Sequence, residues 1–234
     1  MLAYYRSLKC NKDIIQDIQL VPKKKILIMT HDDKFDQEFY DYAQEHDADC
    51  TFFILANRCG TAPANADIQF HWNMGSKYGI ADQLKIFKDR MGFQPWANRN
   101  HRLYWRETHL NLACLAYHGI KHDSSQMGVG SFLHVAQQRV LPIVETRLNI
   151  VDWPYIDVTM TPTCTYSLAS PETLFHKGVT PVTALFHPQF KDKTRWKDTF
   201  LWAKKYGYKI MSIAGYHDYL KQNLSNEAED HFPR

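Results

Sequence analysis

Polar and titratable side chains follow several of the apolar runs in this sequence, each at the point where a run ends. The first run, residues 26–30, leads directly into His31, Asp32 and Asp33. Four later runs end in similar residues, namely His71, Arg99 with His101, Asp123, and His187. Carboxylates and imidazoles are the groups that bind metal ions and transfer protons in hydrolytic enzymes. Their recurrence at five run ends predicts one site with metal-ion or acid–base chemistry.

Asp32 and Asp33 are the most informative of these residues because two carboxylates stand side by side. One aspartate would be enough to cap the helix that we expect from about residue 34, since Asp is a good N-cap residue. Two adjacent carboxylates repel each other unless a cation or an arginine lies close to them. We therefore expect the pair to have a chemical role, with helix capping as the alternative.

The other candidates also have ordinary structural explanations. A single histidine such as His71 or His187 is often a hydrogen-bonded core residue. His101 lies in a basic and aromatic run, NRNHRLYW, which would suit an exposed surface, and Asp123 before Ser124 would suit a turn. No one of them is decisive, so the prediction depends on their shared position at the ends of strands.

The elements that must position these residues alternate along the chain. Apolar and β-branched runs predict strands near residues 26–30, 50–55, 67–71, 94–98, 119–122, 139–144, 181–187 and 208–213. Segments with helical spacing predict helices near residues 34–46, 79–91, 107–117, 170–177, 194–206 and 215–221. This alternation predicts an α/β protein, a single distorted β/α barrel of about seven strands, with polar residues gathered at one edge. An open doubly wound sheet is the alternative, although its usual glycine-rich nucleotide-binding loop is missing.

The sequence has no internal repeat, low-complexity tract or linker, which indicates one domain over residues 1–234 with a polar tail at 222–234. The 28 basic and 25 acidic residues give a net charge of +3 and no basic field that would suit nucleic acid. No apolar run is long enough to be an integral membrane segment. The five scattered cysteines, without any C-x-x-C, are typical of a reducing compartment, so we predict a cytoplasmic protein. The oligomeric state stays open.

Four segments, in their order along the chain, resemble the motifs of the polysaccharide deacetylases, which have the NodB-homology fold of carbohydrate esterase family 4. ILIMTHDD followed by CTFFIL resembles the opening motif of the family. NRNHRLYW resembles its arginine motif, in the form of a divergent branch linked to O-antigen and surface-polysaccharide biosynthesis. GIKHDSS resembles the segment that reaches D-S-S, and TALFHP resembles the closing L-x-H motif. The resemblance covers about residues 24–216 and implies a distorted barrel of the NodB-homology type.

One motif departs from the family pattern. The second motif of the family normally carries two metal-binding histidines one helical turn apart. The counterpart here, FHWNMGS, keeps His71, but Gly75 stands where the second histidine would be. His101, on the neighbouring predicted strand, is the first candidate to replace it, and Asn73 is a weaker one. The metal site is therefore expected to be either rearranged or lost.

The resemblance implies a role for each candidate residue. A divalent metal ion, zinc in the first place and otherwise nickel, cobalt or manganese, would be held by Asp33, His71 and His101. The proton-transfer groups would be Asp32 as general base, with Arg99 keeping it ionised, and His187 as the acid for the leaving amine, oriented by Asp123. The candidate sugar-binding aromatic residues are Trp72, Trp105 and Trp153.

The implied reaction is hydrolysis of the C–N amide bond of an acetamido sugar in a surface polysaccharide or in its lipid- or nucleotide-linked precursor. Two alternatives remain. The first is an inactive deacetylase-like barrel that only binds carbohydrate or a protein partner. The second is another metal-dependent amidohydrolase that acts on a small amide.

Overall fold

A computed structural model describes residues 17–103, 108–136, 139–151, 171–188 and 194–223. The strands are β1 (Ile18–Leu20), β2 (Ile26–Asp33), β3 (Thr51–Leu55), β4 (Asp67–Trp72), β5 (Ala97–Asn100), β6 (His122–Asp123), β7 (Ser131–Ala136), β8 (Arg139–Thr146), β9 (Ile150–Val151), β10 (Val182–Phe186) and β11 (Lys209–Met211). The helices are α1 (Gln37–Glu45), α2 (Ile80–Met91), α3 (Thr108–Tyr117), α4 (Glu172–His176), α5 (Thr194–Lys205) and α6 (Ile213–Asn223). Two short 3-10 turns cover Ala56–Arg58 and His101–Leu103.

All of these strands belong to one curled sheet. The strands β9, β10, β2, β3, β4, β5, β6 and β8 follow one another across it and run parallel, while β7 and β1 extend it in antiparallel pairing beyond β8. β11 pairs with the first residues of β2. The predicted α/β barrel architecture is confirmed, with the correction that the described strands form a half barrel with open ends, since β1 and β9 are not paired with each other.

The central parallel strands β2, β3 and β10 are buried on both faces, which explains why they appear as largely apolar runs in the sequence. Every residue of β2 and of β3 is buried. The larger core lies between the outer face of the sheet and the helices, and it includes Phe39, Phe52 and Phe200. A smaller core fills the inner face, where Phe53 packs in one cluster with Tyr216 of α6.

Helix α6 closes the amino-terminal end of the half barrel. The backbone N–H of Ile213 donates to Thr51 Oγ1 at 2.8 Å, and the N–H of Ala214 donates to Asp67 Oδ2 at 3.3 Å. The partly buried Asp67 carboxylate thus lies at the positive end of the helix dipole, which favours a negative charge. Burial nevertheless raises the pKa of Asp67 above its usual value, against the lowering effect of its hydrogen bonds from Gln69 and Thr51.

Three predicted boundaries were wrong in an informative way. The first strand does not end at residue 30, because Asp32 and Asp33 continue the ladder opposite Phe53 and Ile54 of β3. The first helix begins at Gln37 and not at residue 34. The strand predicted at 139–144 continues to Thr146 as β8, and 150–151 form the further strand β9, while 152–170 lie outside the described residues.

Candidate metal and catalytic site

The two carboxylates at the end of β2 reach the same histidine. Successive residues of a strand point to opposite faces, so a regular strand would separate Asp32 from Asp33. Asp33 instead has φ 75°, a left-handed conformation that Asp tolerates better than most residues. With this turn at the end of β2, His71 Nε2 lies 3.7 Å from Asp32 Oδ2 and 3.6 Å from Asp33 Oδ1.

Helix capping does not explain either carboxylate. The N-cap of α1 is Asp36, whose Oδ1 accepts the backbone N–H of Phe39 at 3.0 Å. His31, the third polar residue of this strand end, packs against Phe39 with the ring centroids 5.1 Å apart. Asp32 and Asp33 therefore stand at the strand end without a capping task, as the sequence had suggested.

Asp33, His71 and His101 bring three potential metal ligands together. The distances are 3.6 Å between Asp33 Oδ1 and His71 Nε2, 3.3 Å between Asp33 Oδ1 and His101 Nδ1, and 3.2 Å between the two ring nitrogens. Metal–ligand bonds of about 2.0–2.1 Å in a tetrahedral zinc site imply ligand atoms about 3.3–3.4 Å apart. The three atoms thus form a triangle with the size of one face of such a tetrahedron, and the fourth position is left for water or substrate.

His71 is held in the tautomer that a metal ligand requires. Its Nδ1–H donates to the backbone carbonyl oxygen of Arg99 at 2.9 Å, so the lone pair is on Nε2, which faces the two carboxylates. Burial lowers the pKa of His71 to about 4, even though the charge of Asp32 acts in the opposite direction. The ring is therefore neutral at pH 7 and needs to lose no proton before it binds a cation.

The Asp33 carboxylate suits the same purpose. Burial raises its pKa, but the electrostatic interactions with His101 and His71 outweigh burial and bring that pKa well below its usual range. Oδ1 of Asp33 is buried and has no hydrogen bond of good geometry, although both rings are close to it. A buried, ionised oxygen without a hydrogen bond, beside two imidazole nitrogens, is the donor set that zinc and similar divalent ions prefer.

The alternative ligand Asn73 is occupied elsewhere. Its Oδ1 accepts the backbone N–H of Gly75 at 3.1 Å, which forms a local turn. Gln83 of α2 fixes the same loop, because it accepts from Asn73 N at 3.1 Å and donates to Asn73 O at 3.0 Å and to Tyr78 O at 2.7 Å. The segment that would correspond to the second histidine of the deacetylase motif is thus a hydrogen-bonded turn in this chain. His101 is the residue that lies beside His71.

Arg99 fixes Asp32 from the inner face of the sheet. Its Nη1 donates to Asp32 Oδ1 at 2.9 Å, and its Nε and Nη2 donate to the carbonyl oxygen and the hydroxyl of Ser124 at 2.7 and 3.0 Å. The guanidinium also lies over the Phe53 ring, 4.4 Å from its centroid. Both Arg99 and Asp32 are buried, so this charge-assisted pair keeps Asp32 in one orientation. The predicted contact between these two residues is present.

Asp123 has partners other than the one predicted. Its Oδ1 accepts from Asn98 Nδ2 and from the Ser125 hydroxyl, each at 2.8 Å, and its Oδ2 accepts from Ser125 N at 3.0 Å. Burial raises the pKa of Asp123 to about 7 against these hydrogen bonds. These contacts support the segment that carries Ser124 and hence Arg99. Orientation of His187 by Asp123 stays a prediction.

His187 follows directly on β10, whose last residue, Phe186, lies in register with His31 of β2. His187 is thus at the same sheet edge as the carboxylates, and its positive charge contributes to the lowered pKa of Asp33. Of the three tryptophans predicted to bind sugar, Trp72 is packed mainly in the outer core and also lines a cleft of about 350 Å³ with Met74, Lys77 and Tyr78. Trp105 and Trp153 lie outside the described residues.

Sequence inspection missed several residues of this site. Arg58, on the turn after β3, has its Nη1 3.4 Å from Asp33 Oδ2. Thr30 accepts a hydrogen bond from Arg99 Nη1 and donates to the carbonyl oxygen of Ala184 on β10. Ser124 was noted only as part of a turn. Polar residues flanking Arg99 and Asp123 were the available signal, but their partners lie on other strands.

The structure shares its fold with polysaccharide deacetylases. A protein from Mycobacterium smegmatis assigned as a polysaccharide deacetylase superposes with a TM-score of 0.56 and 14% identity over 92% of this chain and 98% of that chain. Peptidoglycan deacetylase PdaC from Bacillus subtilis superposes with a TM-score of 0.53 and 14% identity over 90% of this chain and 96% of that chain. A carbohydrate esterase family 4 pseudoenzyme from Bacillus anthracis superposes with a TM-score of 0.53 and 13% identity over 88% of this chain and 69% of that chain. The resemblance inferred from the motifs is therefore confirmed at the level of the fold.

Other comparisons add no finer assignment. No protein-family model matches the sequence, and no curated protein does so. Within the part of the chain that the structure describes, none of the helices has the length and apolar character needed to cross a membrane. Function must therefore be argued from the site itself.

Proposed function

We propose that this protein is a divalent-metal-dependent hydrolase that removes the acetyl group from an acetamido sugar. The observation that carries the proposal is the triangle of Asp33 Oδ1, His71 Nε2 and His101 Nδ1, with edges of 3.2 to 3.6 Å, beside an aspartate held by a buried arginine. A metal ion bound there would polarise the acetyl carbonyl and make water a stronger nucleophile at neutral pH.

Asp32 has the orientation expected of the general base. Arg99 occupies its Oδ1, whereas its Oδ2 faces the site, 3.7 Å from His71 Nε2. In the proposed reaction Asp32 accepts a proton from the attacking water as the water oxygen bonds to the acetyl carbon. The guanidinium of Arg99 holds the Asp32 carboxylate in place for this step.

His187 supplies the second proton transfer. When the C–N bond breaks, the sugar nitrogen needs a proton to leave as an amine, and His187 donates it from the end of β10. The products are acetate and an amino sugar. The use of separate acid and base groups on β10 and β2 follows from their positions on two adjacent parallel strands.

The cleft formed by the segment that follows His71 in the chain is our candidate for the sugar-binding region. It begins at Trp72, the residue after His71, and it is lined by Tyr78, whose ring is 46% exposed, and by Lys77. Aromatic faces and a flexible cation suit a polar ring that carries hydroxyl or phosphate groups. Together with the motif resemblance, this supports a saccharide precursor of a surface polysaccharide, linked to a lipid or a nucleotide, as the substrate in the cytoplasm.

Acetate release tests this proposal. Protein stripped with a chelator and reloaded with zinc or cobalt should release acetate from acetamido-sugar oligomers or from UDP-N-acetylglucosamine. The His101→Ala variant should lose the metal bound at this site and the activity, whereas His176→Ala, which removes an exposed histidine of α4, should keep both. The absence of acetate release by the metal-loaded protein, combined with retained saccharide binding, would overturn the hydrolase and favour a binding protein of the same fold.

A further inference from the structure

A second group of metal-ligand side chains lies at the other end of the sheet. Asp17 precedes β1, His134 is on β7, and His109 is in the first turn of α3. One ligand atom from each lies within 4.8 Å of the other two. None of these residues belongs to the site described above.

His134 is the buried centre of this group. Its side chain is 2% exposed, and its Nε2 lies 2.5 Å from Oε2 of Glu145, a residue that is fully buried. Its Nδ1 faces Asp17 Oδ2 at 2.8 Å, but the angle does not allow a hydrogen bond, so Nδ1 is a buried polar atom without a hydrogen-bond partner. An imidazole that donates one N–H to a buried carboxylate and directs its other nitrogen at further ligands is the usual support of a metal-binding histidine.

The backbone at His134 is irregular in the same place. The pairing of β7 with β8 shifts its register between Leu133 and Val135. Such irregularities redirect a side chain and recur beside functional sites. The His109 ring approaches that of His134 with the centroids 5.9 Å apart and the planes at 78°. His109 and Asp17 are exposed, so small side-chain rotations can bring their ligand atoms closer together at little cost.

We propose that Asp17, His109 and His134 form a second divalent-cation site, of the zinc, cobalt or nickel type, that ties β1, β7 and the first turn of α3 together. Two imidazole nitrogens and one carboxylate oxygen form the same donor set as in the first site. The chain between His101, a ligand of the first site, and His109 is short. The second ion therefore anchors the helix that follows the first site.

A purely ionic arrangement is the competing explanation for the same contacts. Burial lowers the pKa of His134, but its contacts with Glu145 and Asp17 raise the pKa by more than burial lowers it, so the net shift is upward. A protonated His134 between two carboxylates would need neither zinc nor His109. His109 is therefore the residue that separates the two explanations.

Metal stoichiometry on the full chain tests the proposal. Zinc titrated into chelator-stripped protein should bind with two equivalents to the wild type and to His118→Ala, which removes the histidine after the far end of α3. One equivalent should bind to His109→Ala, one to His101→Ala, and none to the double variant. His109 is exposed, so its removal should leave the protein folded, and Asp17→Asn provides a second variant of the same kind.

Two further outcomes decide the matter. In the His101→Ala background, zinc at a hundredfold excess over its dissociation constant should raise the melting temperature by about 5–10 °C. This shift should vanish when His109→Ala is added. The second site is wrong if His109→Ala binds as many equivalents as the wild type, or if His101→Ala alone removes all zinc. If His109→Ala binds no zinc while His101→Ala binds as many equivalents as the wild type, the first site would be overturned instead.

Discussion

Asp32 and Asp33 are neighbours in the chain but face different partners. Asp32 is bound by Arg99 through its Oδ1, whereas Asp33 Oδ1 has no hydrogen bond and faces His71 and His101. The left-handed conformation of Asp33 makes this division feasible within two adjacent residues. The pair therefore separates proton transfer from metal binding in the proposed reaction.

The two aspartates should respond differently to the same substitution. Asp33→Asn replaces a charged donor by a neutral one and should lose most of the metal bound between Asp33, His71 and His101. Asp32→Asn should keep the metal but lower the single-turnover rate by about 10²–10⁴-fold, the usual effect of removing a general base. Metal content and single-turnover rate should be measured on the same preparations, with the exposed Asp89→Asn as control. Equal metal loss in both variants would contradict the division of roles.

At the residue scale, the sequence predicted those groups whose partners follow from position on a strand. His101 was predicted as the replacement ligand because adjacent parallel strands bring their carboxyl ends together, and His71 and Arg99 do lie in register. Arg58 beside Asp33 and Glu145 beside His134 were not predicted. Their contacts depend on turn geometry and side-chain direction, which no spacing in the sequence reports.

The first residues of helix α1 lie close to the site. Helix α1 starts at an aspartate, Asp36, that belongs to neither the metal ligands nor the proton-transfer groups. Its carboxylate accepts the N–H of Phe39, a core residue that packs against His31 and Phe52. Three aspartates within five residues thus have separate roles. Helix capping, the alternative for Asp32 and Asp33, belongs to Asp36.

Loss of the cap should affect stability and leave the chemistry intact. Asp36→Ala should lower the free energy of unfolding by about 1 kcal/mol, the usual cost of removing an N-cap side chain. Asp36→Asn, which can still accept the N–H of Phe39, should lose less. Urea unfolding measures both changes, and metal content should equal that of the wild type in each variant. A loss of metal in Asp36→Asn would mean that this aspartate takes part in the site.

The prediction of elements succeeded for the buried parallel strands and for the amphipathic helices. All eight predicted strands have a counterpart. The signal is clearest for β2, β3 and β10, because a strand buried on both faces leaves a largely apolar run. The strands β1, β7 and β9 were missed. Two of them are only two or three residues long, and β7 includes Ser131 and His134, whose burial depends on Tyr216 and Glu145 far away in the chain.

The whole molecule contains several buried histidines whose pKa is lowered, which makes its stability depend on pH. His122, between His217 and Thr146, has its pKa lowered well below 6.5, first by burial and then by the charges of His217 and Arg99. Below about pH 6.5 the unfolded chain binds a proton at this residue that the folded protein does not bind. The stability that neutral His122 contributes is thus present above that pH and is lost on acidification.

This dependence predicts the slope of stability against pH. On acidification below about pH 6, each such histidine contributes up to about 1.4 kcal/mol per pH unit to the fall in the free energy of unfolding. His122→Gln should remove one such contribution from metal-free protein, whatever its effect on stability at pH 7. His176→Gln, at an exposed position, should leave the slope unchanged. Chemical unfolding at several pH values measures it, and equal slopes for His122→Gln and the wild type would refute this assignment.

The position of the three candidate ligands on β2, β4 and the turn after β5 has a consequence for the order of events in folding. Two histidines one helical turn apart can capture an ion as soon as one turn forms, so the ion can assist early local structure. Here whole strand–helix units separate the ligands. Bringing the ligands together costs conformational entropy, and pairing of the strands must offset that cost before the ion can bind. The metal ion is therefore expected to bind late in the folding of this chain. It binds only after the three strands have paired, so it cannot direct their pairing.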